Sequence, residues 1–282
     1  MHHTTTALFC RHMRCKTPFI WHIREFLEED QKLCIWQKWS GIRLMNKANY
    51  VVTISNSLFK KYKPLINPKK LRMIPNGIDP SSFLCREHEI FELDPYRFAI
   101  VGNLSEGKGQ EELIRACIKL HEEGIDCFKL TVAGNDKTEY AEKLKAMVEQ
   151  NKIRNIEFVG VVSNPEKLFQ SVDITFMCSK SEAFGCVTVE AMMAGSLVIG
   201  ARCAGTLDII EDGVSGLLYL PGNTEELADK IKYCISHPDE ARKVAKHGQN
   251  VALEEFTAEK NAEEINAQYS EIRLNSHIGA NI

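Results

Sequence analysis

Residues 96–220 alternate between two kinds of hydrophobic pattern. Short apolar runs indicate buried strands, and the longer segments between them carry apolar side chains at every third or fourth position, as amphipathic helices do. Strands that alternate with helices in this way form a doubly wound parallel sheet. The predicted strands are 97–101, 128–133, 156–159, 172–178, 197–200 and 217–220, and the predicted helices between them are 110–123, 139–151, 165–170 and 186–194.

The pattern on either side of this region is less regular. The predicted elements before it are a helix in 1–16, a strand at 18–23, an aromatic-rich amphipathic segment at 33–44, a strand at 50–54, a basic helix at 58–63 and a strand that runs from 71 into a Pro-Asn-Gly turn. Helices at 224–236, 239–254 and 258–274 are predicted to close the chain. The predicted domains are a partial α/β domain in 1–80, a charged linker at 81–95, a complete doubly wound domain at 96–255 and a C-terminal helical segment at 256–282.

The loop that follows the predicted strand 172–178 contains two carboxylates, Glu182 and Glu190, around the turn residue Gly185. Open α/β sheets bind ligands at the carboxyl ends of their strands, and a helix that starts after Gly185 would point its N–H groups at an anion there. Glu190 lies on an apolar helix face, where a diol that donates two hydrogen bonds would offset the burial of its charge. A ribose is such a diol. The alternative interpretation is that Glu190 is a surface helix residue and Glu182 a loop charge.

A second candidate loop, residues 102–109, follows the predicted strand 97–101 and opens a helix. It nearly fits the phosphate-binding pattern GxxxxGK[ST], but Gly109 stands where a Ser or Thr hydroxyl must ligate Mg²⁺. No strand elsewhere ends in a convincing Mg²⁺-binding aspartate, so a nucleoside triphosphatase is disfavoured. Lys108 can still neutralise a diphosphate as a point charge, or it is a solvated lysine.

Other histidine and cysteine positions are weaker candidates. His22, at the end of a predicted strand, could contact a ligand hydroxyl, although a lone histidine is more often structural. Cys10, His12 and Cys15 could be drawn as a zinc knuckle, but no second ligand pair follows, so we expect no metal. The ten cysteines are scattered, which favours reduced thiols. The cysteines expected to be buried in apolar segments are Cys127, Cys178, Cys186 and Cys203.

Composition and charge exclude several classes of protein. A hydrophobic content of 44% is typical of a packed globular protein, and 282 residues allow two domains. A formal net charge of −3 argues against a nucleic-acid partner. No apolar run is long enough to cross a membrane, and the N-terminus lacks the apolar region of a signal peptide. We therefore expect a cytoplasmic protein, with peripheral contact at the inner membrane face left open.

Taken together, these motifs resemble retaining glycosyltransferases of family 4, which have the GT-B fold of two Rossmann-like domains. The resemblance is carried by Glu182-x7-Glu190 around Phe184-Gly185, by the 102–109 loop and by residues 71–79. It implies that Glu182 approaches the donor sugar, Glu190 holds the ribose hydroxyls, and Lys108 contacts the leaving diphosphate. It also implies that the last helix packs back toward the first domain. Further residues placed at the donor by the resemblance are His22, Phe184, Gly185, Cys186, Gly102, Asn103, Gly205 and Thr206.

The family resemblance also implies a reaction. A sugar would pass from a nucleotide-sugar donor to a hydroxyl of a carbohydrate or lipid-linked acceptor with retention of configuration, without a metal or cofactor. The chain departs from the family where Asn103 replaces a common arginine, and where Ala204 and Asp208 replace a glycine and a glutamate. These substitutions leave the exact sugar contacts open.

The N-terminal part is short for this family. About 80 residues precede the linker, whereas a self-sufficient Rossmann half usually needs about 120. We expect an N-terminal truncation, and an incomplete sheet that promotes oligomerisation through its exposed edge. The alternative functions left open are a nucleotide-sugar-binding fragment without turnover and, less favoured, a P-loop-like nucleoside triphosphatase.

Overall fold

The computed structural model describes residues 18–26, 38–84 and 89–278. The predicted helix in 1–16, the cluster of Cys10, His12 and Cys15 and residues 33–37 of the aromatic-rich segment lie outside the described residues. The described residues form two compact units. The small unit holds residues 18–75 and 261–278, and the large unit runs from Asn76 to Lys260.

The small unit contains a parallel sheet of three strands in the order β1 (Ile20–Ile23), β2 (Tyr50–Thr53) and β3 (Leu71–Met73). All four residues of the central strand β2 are buried, because strands flank it on both sides. The C-terminal helix belongs to this unit from Asn261 onward, where Ile272 is buried. Burial and the nearby Glu271 carboxylate raise the pKa of Tyr50. Helix α1 (Lys38–Met45) precedes β2, and helix α2 (Asn56–Tyr62) lies between β2 and β3.

The strands of the large unit are β4 (Tyr96–Val101), β5 (Phe128–Ala133), β6 (Ile156–Gly160), β7 (Ile174–Met177), β8 (Leu197–Ala201) and β9 (Leu217–Tyr219). They form a parallel sheet in the order β6-β5-β4-β7-β8-β9. The chain builds outward from β4 in one direction and then returns to start again at β7 in the other. The carboxyl ends of β4 and β7 therefore form a topological switch point, where doubly wound sheets bind their ligands.

Helices connect these strands and close the chain. Each predicted helix between residues 110 and 274 is present, and its ends differ from the prediction by a few residues at most. The helices are α3 (Gln110–Glu122), α4 (Glu139–Gln150), α5 (Pro165–Ser171), α6 (Cys186–Met193), α7 (Thr206–Ile209), α8 (Thr224–Ser236), α9 (Pro238–Glu255) and α10 (Ala258–Ile278).

The core of the large unit is built on aromatic side chains from neighbouring strands. The Phe98 ring stacks on Phe128 at 5.3 Å between centroids and meets Phe176 edge-on at 5.6 Å. Ile90 and Phe91, from the segment expected to be a linker, are also buried in this core. The Asp173 carboxylate accepts a hydrogen bond from the Phe91 N–H at 2.6 Å. This part of the segment is therefore fixed to the sheet.

The six predicted strands of the large unit are confirmed, and two expectations about cysteines are wrong. Cys178 and Cys203 are buried as expected, but Cys127 and Cys186 are exposed. Cys127 lies just before the first residue of β5, and Cys186 is the first residue of α6. Both therefore lie at the end of an element, where an apolar neighbourhood in the sequence does not ensure burial in space.

Within the described ranges, no helix is both long and apolar enough to cross a membrane. The same ranges contain no group of three or more histidine, cysteine or carboxylate side chains that could hold a metal ion.

Candidate active site

Two loops of the large unit meet at the switch point. The 102–109 loop follows β4, and the 178–185 loop follows β7. The two loops are in contact at Gly109. Its φ is +71°, and a Cβ atom built on it would lie 2.1 Å from the carbonyl oxygen of Cys178. The Lys180 N–H also donates to the Gly107 carbonyl at 2.9 Å. The backbones of the two loops are therefore in direct contact and fix each other's positions.

Across this junction the structure pairs two of the predicted catalytic side chains. Lys108 ends a 3₁₀ turn, Glu106–Lys108, and its Nζ lies 2.8 Å from Oε2 of Glu182. The Lys108 side chain is 39% exposed and that of Glu182 is 18% exposed. A pair this accessible contributes less than about 1 kcal/mol to stability. Its main effect is to hold a cation and a carboxylate together at the open edge of the sheet.

The 178–185 loop leads into the amino end of α6. Gly185 has φ +105°, and its carbonyl accepts the Thr188 N–H at 3.0 Å. Gly205 supports the loop from the neighbouring β8 side: its N–H donates to the Glu182 carbonyl at 2.8 Å, and a Cβ there would lie 2.4 Å from the Phe184 carbonyl oxygen. The first N–H groups of a helix lie outside its internal ladder and carry a partial positive charge. This end of α6 is suited to an anionic ligand.

Glu190 lies in the last half of α6 and is partly buried. No other described residue forms a hydrogen bond or ion pair with its carboxylate. Burial raises the pKa of Glu190, and the nearby Glu166 charge on α5 raises it further. A partly buried carboxylate without a donor is destabilising in the free protein, so a ligand that donates to it would be favoured.

The remaining predicted donor residues divide into two groups. Phe184 and Thr206 are buried, and the Phe184 ring packs edge-on against Phe256 at 5.7 Å. Their side chains therefore support the loops, and contact with a ligand would go through their backbone. Asn103 is exposed, and Cys186 is exposed beside the Asn76 amide, which donates to its Sγ at 3.8 Å.

The last two predicted residues, Gly102 and His22, lie at strand ends in different units. Gly102 leaves β4 with φ +149°, and its N–H donates to the Ala133 carbonyl at 3.0 Å. His22 belongs to the small unit, as the third residue of β1, and is half-buried. Burial lowers the pKa of His22, and the nearby Arg24 charge lowers it further, so the neutral imidazole is favoured.

Sequence reasoning missed the residues that shape the 102–109 loop from within. Gln110 is almost completely buried, and its Nε2 donates to the Asn103 carbonyl at 3.0 Å. In the sequence pattern, Gly109 is only a mismatch to a magnesium-binding motif. The sequence did contain a signal for the role of Gly109. Lys108 lies between two glycines just before an amphipathic helix, and a glycine at the start of a helix often marks a close approach of two backbones.

The chain is similar to known proteins in both sequence and fold. Residues 85–251 match the family model of glycosyl transferases group 1. A glycosyltransferase of Methanocaldococcus jannaschii, MJ1607, is 33% identical over 202 residues, which covers 66% of this chain and 50% of that protein. N-acetyl-alpha-D-glucosaminyl L-malate synthase of Bacillus anthracis is 26% identical over 224 residues, which covers 77% of this chain and 58% of the enzyme.

The fold also matches solved structures. The crystal structure of Anabaena Alr3699/HepE in complex with UDP-glucose has a TM-score of 0.82 at 22% identity, with 95% of this chain and 76% of that chain covered. The two sequence relatives are longer, and the chain spans 50% and 58% of their lengths. The family match covers more than half of the chain and includes the whole six-stranded sheet with both loops. The chain therefore belongs to the group 1 glycosyl transferases and has their GT-B fold.

Proposed function

We propose that this protein transfers a sugar from a nucleotide-sugar donor to a hydroxyl acceptor with retention of anomeric configuration. The observation that carries this proposal is the Lys108 and Glu182 pair, held at 2.8 Å where two loops of a group 1 fold meet. A cation there suits a diphosphate, and a carboxylate beside it suits the hydroxyls of a sugar.

In the proposed complex the large unit binds the nucleotide. Glu190 accepts hydrogen bonds from the ribose hydroxyls, which gives its partly buried carboxylate the donors that it lacks in the free protein. The amino end of α6 and Lys108 face the diphosphate, and Glu182 faces the sugar. The HepE structure was solved with UDP-glucose, which supports a nucleotide sugar as the class of donor.

The proposed chemistry depends on stabilising the leaving group. The bond between the anomeric carbon and the diphosphate oxygen breaks while the acceptor oxygen forms a bond on the same face of the sugar. The acceptor proton passes to the departing phosphate. Lys108 and the N–H groups of α6 meet the charge that develops on the diphosphate, and preorganised donors of this kind often contribute more to the rate than any other catalytic effect. No protein nucleophile is needed in this scheme.

Two other functions make different predictions. A nucleotide-sugar-binding fragment without turnover would use the same large unit and differ only in giving no product. A P-loop-like nucleoside triphosphatase would need a hydroxyl at position 109 to ligate magnesium. A serine there would meet the Cys178 carbonyl, because even a Cβ would lie 2.1 Å from its oxygen. The geometry favours the transferase over the nucleoside triphosphatase.

Calorimetry against UDP, GDP, ADP and their glucose and mannose conjugates, followed by a transfer and hydrolysis assay, tests the proposal. We expect the protein to bind one nucleotide and its sugar conjugate, and to release the corresponding nucleoside diphosphate in the assay. Binding without product would support the fragment without turnover. An absence of binding to every nucleotide, or magnesium-dependent hydrolysis of ATP or GTP, would contradict the proposed function.

Glu190→Gln should have opposite effects on affinity and on stability. Because the pKa of Glu190 is raised in the folded state, its charged form destabilises the fold above that pKa. This destabilisation fades as the pH falls through the raised pKa. We therefore expect a higher Tm for Glu190→Gln at pH 7 and a smaller gain at acidic pH, whereas nucleotide affinity should fall by about 1–3 kcal/mol.

Thermal melts at pH 7 and pH 5 and calorimetry with the preferred nucleotide measure both effects. Glu254→Gln is a matched control, because Glu254 is exposed on α9 and its substitution should change neither quantity. Unchanged affinity in Glu190→Gln would remove this carboxylate from the nucleotide site.

A further inference from the structure

Positive charge is concentrated in one part of the chain. Residues 31–78 contain ten lysines and arginines and no aspartate or glutamate, although the whole chain has a formal net charge of −3. In the large unit, by contrast, many cations pair with carboxylates. Lys145, for example, contacts Asp136 at 3.2 Å and Glu142 at 3.0 Å. The small unit therefore has an excess of positive charge that the large unit does not share.

The topology collects these cations at one edge of the small sheet. Because β1, β2 and β3 are parallel, α1 and α2 must each return from the carboxyl edge to the amino edge. The last turns of both helices and the connections after them therefore lie at the amino edge. The basic surface consists of the cations in these positions: Arg43, Lys47, Lys60, Lys63 and Lys69.

Hydrogen bonds join the two connections into one surface. The Asn46 side chain donates to the Leu65 carbonyl at 3.0 Å and accepts from the Asn67 N–H at 2.9 Å. Lys70 lies between the connections, and its Nζ donates to the carbonyls of Asn46 at 2.7 Å and Ala48 at 2.8 Å. Lys70 is therefore used internally, and the five cations of the basic surface are held on a defined backbone.

The five side chains of the basic surface are exposed, and none of them forms a hydrogen bond or ion pair with another described residue. The dipoles of two short helices favour cations in their last turns, which accounts for Arg43 and Lys60. That effect extends to Lys63, the C-cap of α2, but it does not reach Lys69, which lies in the connection before β3. Mutual repulsion of the five charges would be relieved by an anionic partner.

Apolar residues lie among these cations. Pro64 and Pro68 are exposed, and Phe59 and Leu65 are only partly buried. Four of the five cations are lysines, which interact as hydrated point charges, whereas nucleic-acid recognition favours the planar arginine side chain. Lysines interleaved with apolar side chains suit the headgroup region of a bilayer.

We propose that the basic surface docks the protein on a bilayer that contains anionic phospholipids. The surface lies at the amino edge of the small sheet, so docking there leaves the carboxyl edge, where β1 ends just after His22, accessible. The inference rests on the charge and topology of the small unit and does not depend on the proposed reaction.

Vesicle flotation at about 0.1 M salt tests this surface. The full chain should bind vesicles of phosphatidylcholine with about 30% phosphatidylserine and should not bind pure phosphatidylcholine. Each lysine near an anionic surface strengthens binding by about fivefold, so the combined variant Lys60→Gln, Lys63→Gln and Lys69→Gln should bind about 100-fold more weakly. Raising the salt to about 0.5 M should release the protein from the vesicles.

A second triple variant serves as the matched control. Lys137→Gln, Lys167→Gln and Lys243→Gln remove the same charge from exposed positions of the large unit and should leave vesicle binding unchanged. Circular dichroism melts should be the same for all three proteins. Equal binding to both kinds of vesicle, an equal loss in both triple variants, or binding to a DNA duplex but not to vesicles would overturn the proposal.

Discussion

Gly109→Ala is expected to destabilise the large unit strongly. A left-handed backbone costs a residue with a side chain about 1–2 kcal/mol, and Gly109 has φ +71°. The added methyl group would also lie 2.1 Å from the Cys178 carbonyl oxygen, so one of the two loops must move, at a further cost of about 1–3 kcal/mol. Together these effects should remove about 2–5 kcal/mol from a free energy of unfolding that is typically about 5–15 kcal/mol. Urea denaturation measures the difference.

Alanine variants at two other glycines separate the cost of backbone strain from the cost of the steric clash with Cys178. A Cβ on Gly213 would meet nothing within 4 Å although its φ is +76°, so Gly213→Ala should show only the cost of backbone strain. Gly107 also has open space around it and no positive φ, so Gly107→Ala should change stability least. If Gly109→Ala were no worse than Gly213→Ala, the close contact between the two loops would be contradicted.

Lys108→Ala is expected to have the largest effect on activity. On the proposed mechanism it removes the cation that meets the developing charge on the diphosphate, and the loss of one such group typically lowers the rate by about 10²–10³-fold. Stability should change by less than about 1 kcal/mol, because the ion pair with Glu182 is partly exposed. Initial rates of sugar transfer or donor hydrolysis, together with a urea titration, measure both quantities.

Two further variants test whether the effect is specific to the charge at Lys108. Lys243→Ala removes an exposed lysine of α9 and should leave the rate unchanged. Lys108→Arg should retain part of the activity, because it keeps the charge with a different geometry. If the chain binds donor without turnover, the same comparison applies to nucleotide affinity. A Lys108→Ala protein with unaltered rate and affinity would exclude this lysine from the diphosphate site.

Much of the large unit could be predicted because β7, β8 and β9 are buried on both faces and appear as short apolar runs. Strand 128–133 has an exposed Lys129 but was predicted with the boundaries that the structure has. The run at 172–178 was too long by three residues, since β7 is Ile174–Met177. Asp173 is buried before this strand because its carboxylate binds backbone N–H groups of a distant segment. Hydropathy alone does not contain that contact.

The candidate site was predicted only in part. The motif spacing predicted Lys108, Glu182 and Glu190 as site residues, because loops at strand ends are recognisable from local pattern, and the structure brings Lys108 and Glu182 together. The same reasoning assigned Phe184 and Thr206 to the donor, and only the structure shows that their side chains are buried, so that a contact would go through their backbone. A residue next to a motif can face either the ligand or the core, and the direction is set by packing.

By itself, the sequence determined the succession of strands and helices along the chain, the positions of the two loops and the family. Each of these depends on residues that are neighbours along the chain. Only the tertiary structure decided that the backbone at Gly109 touches Cys178, that Lys108 reaches Glu182, and that two connections of the small sheet share one basic surface. The physical reason is common to all three. Each depends on the distance between residues that are far apart in sequence, and that distance is set by how strands pair and how loops pack.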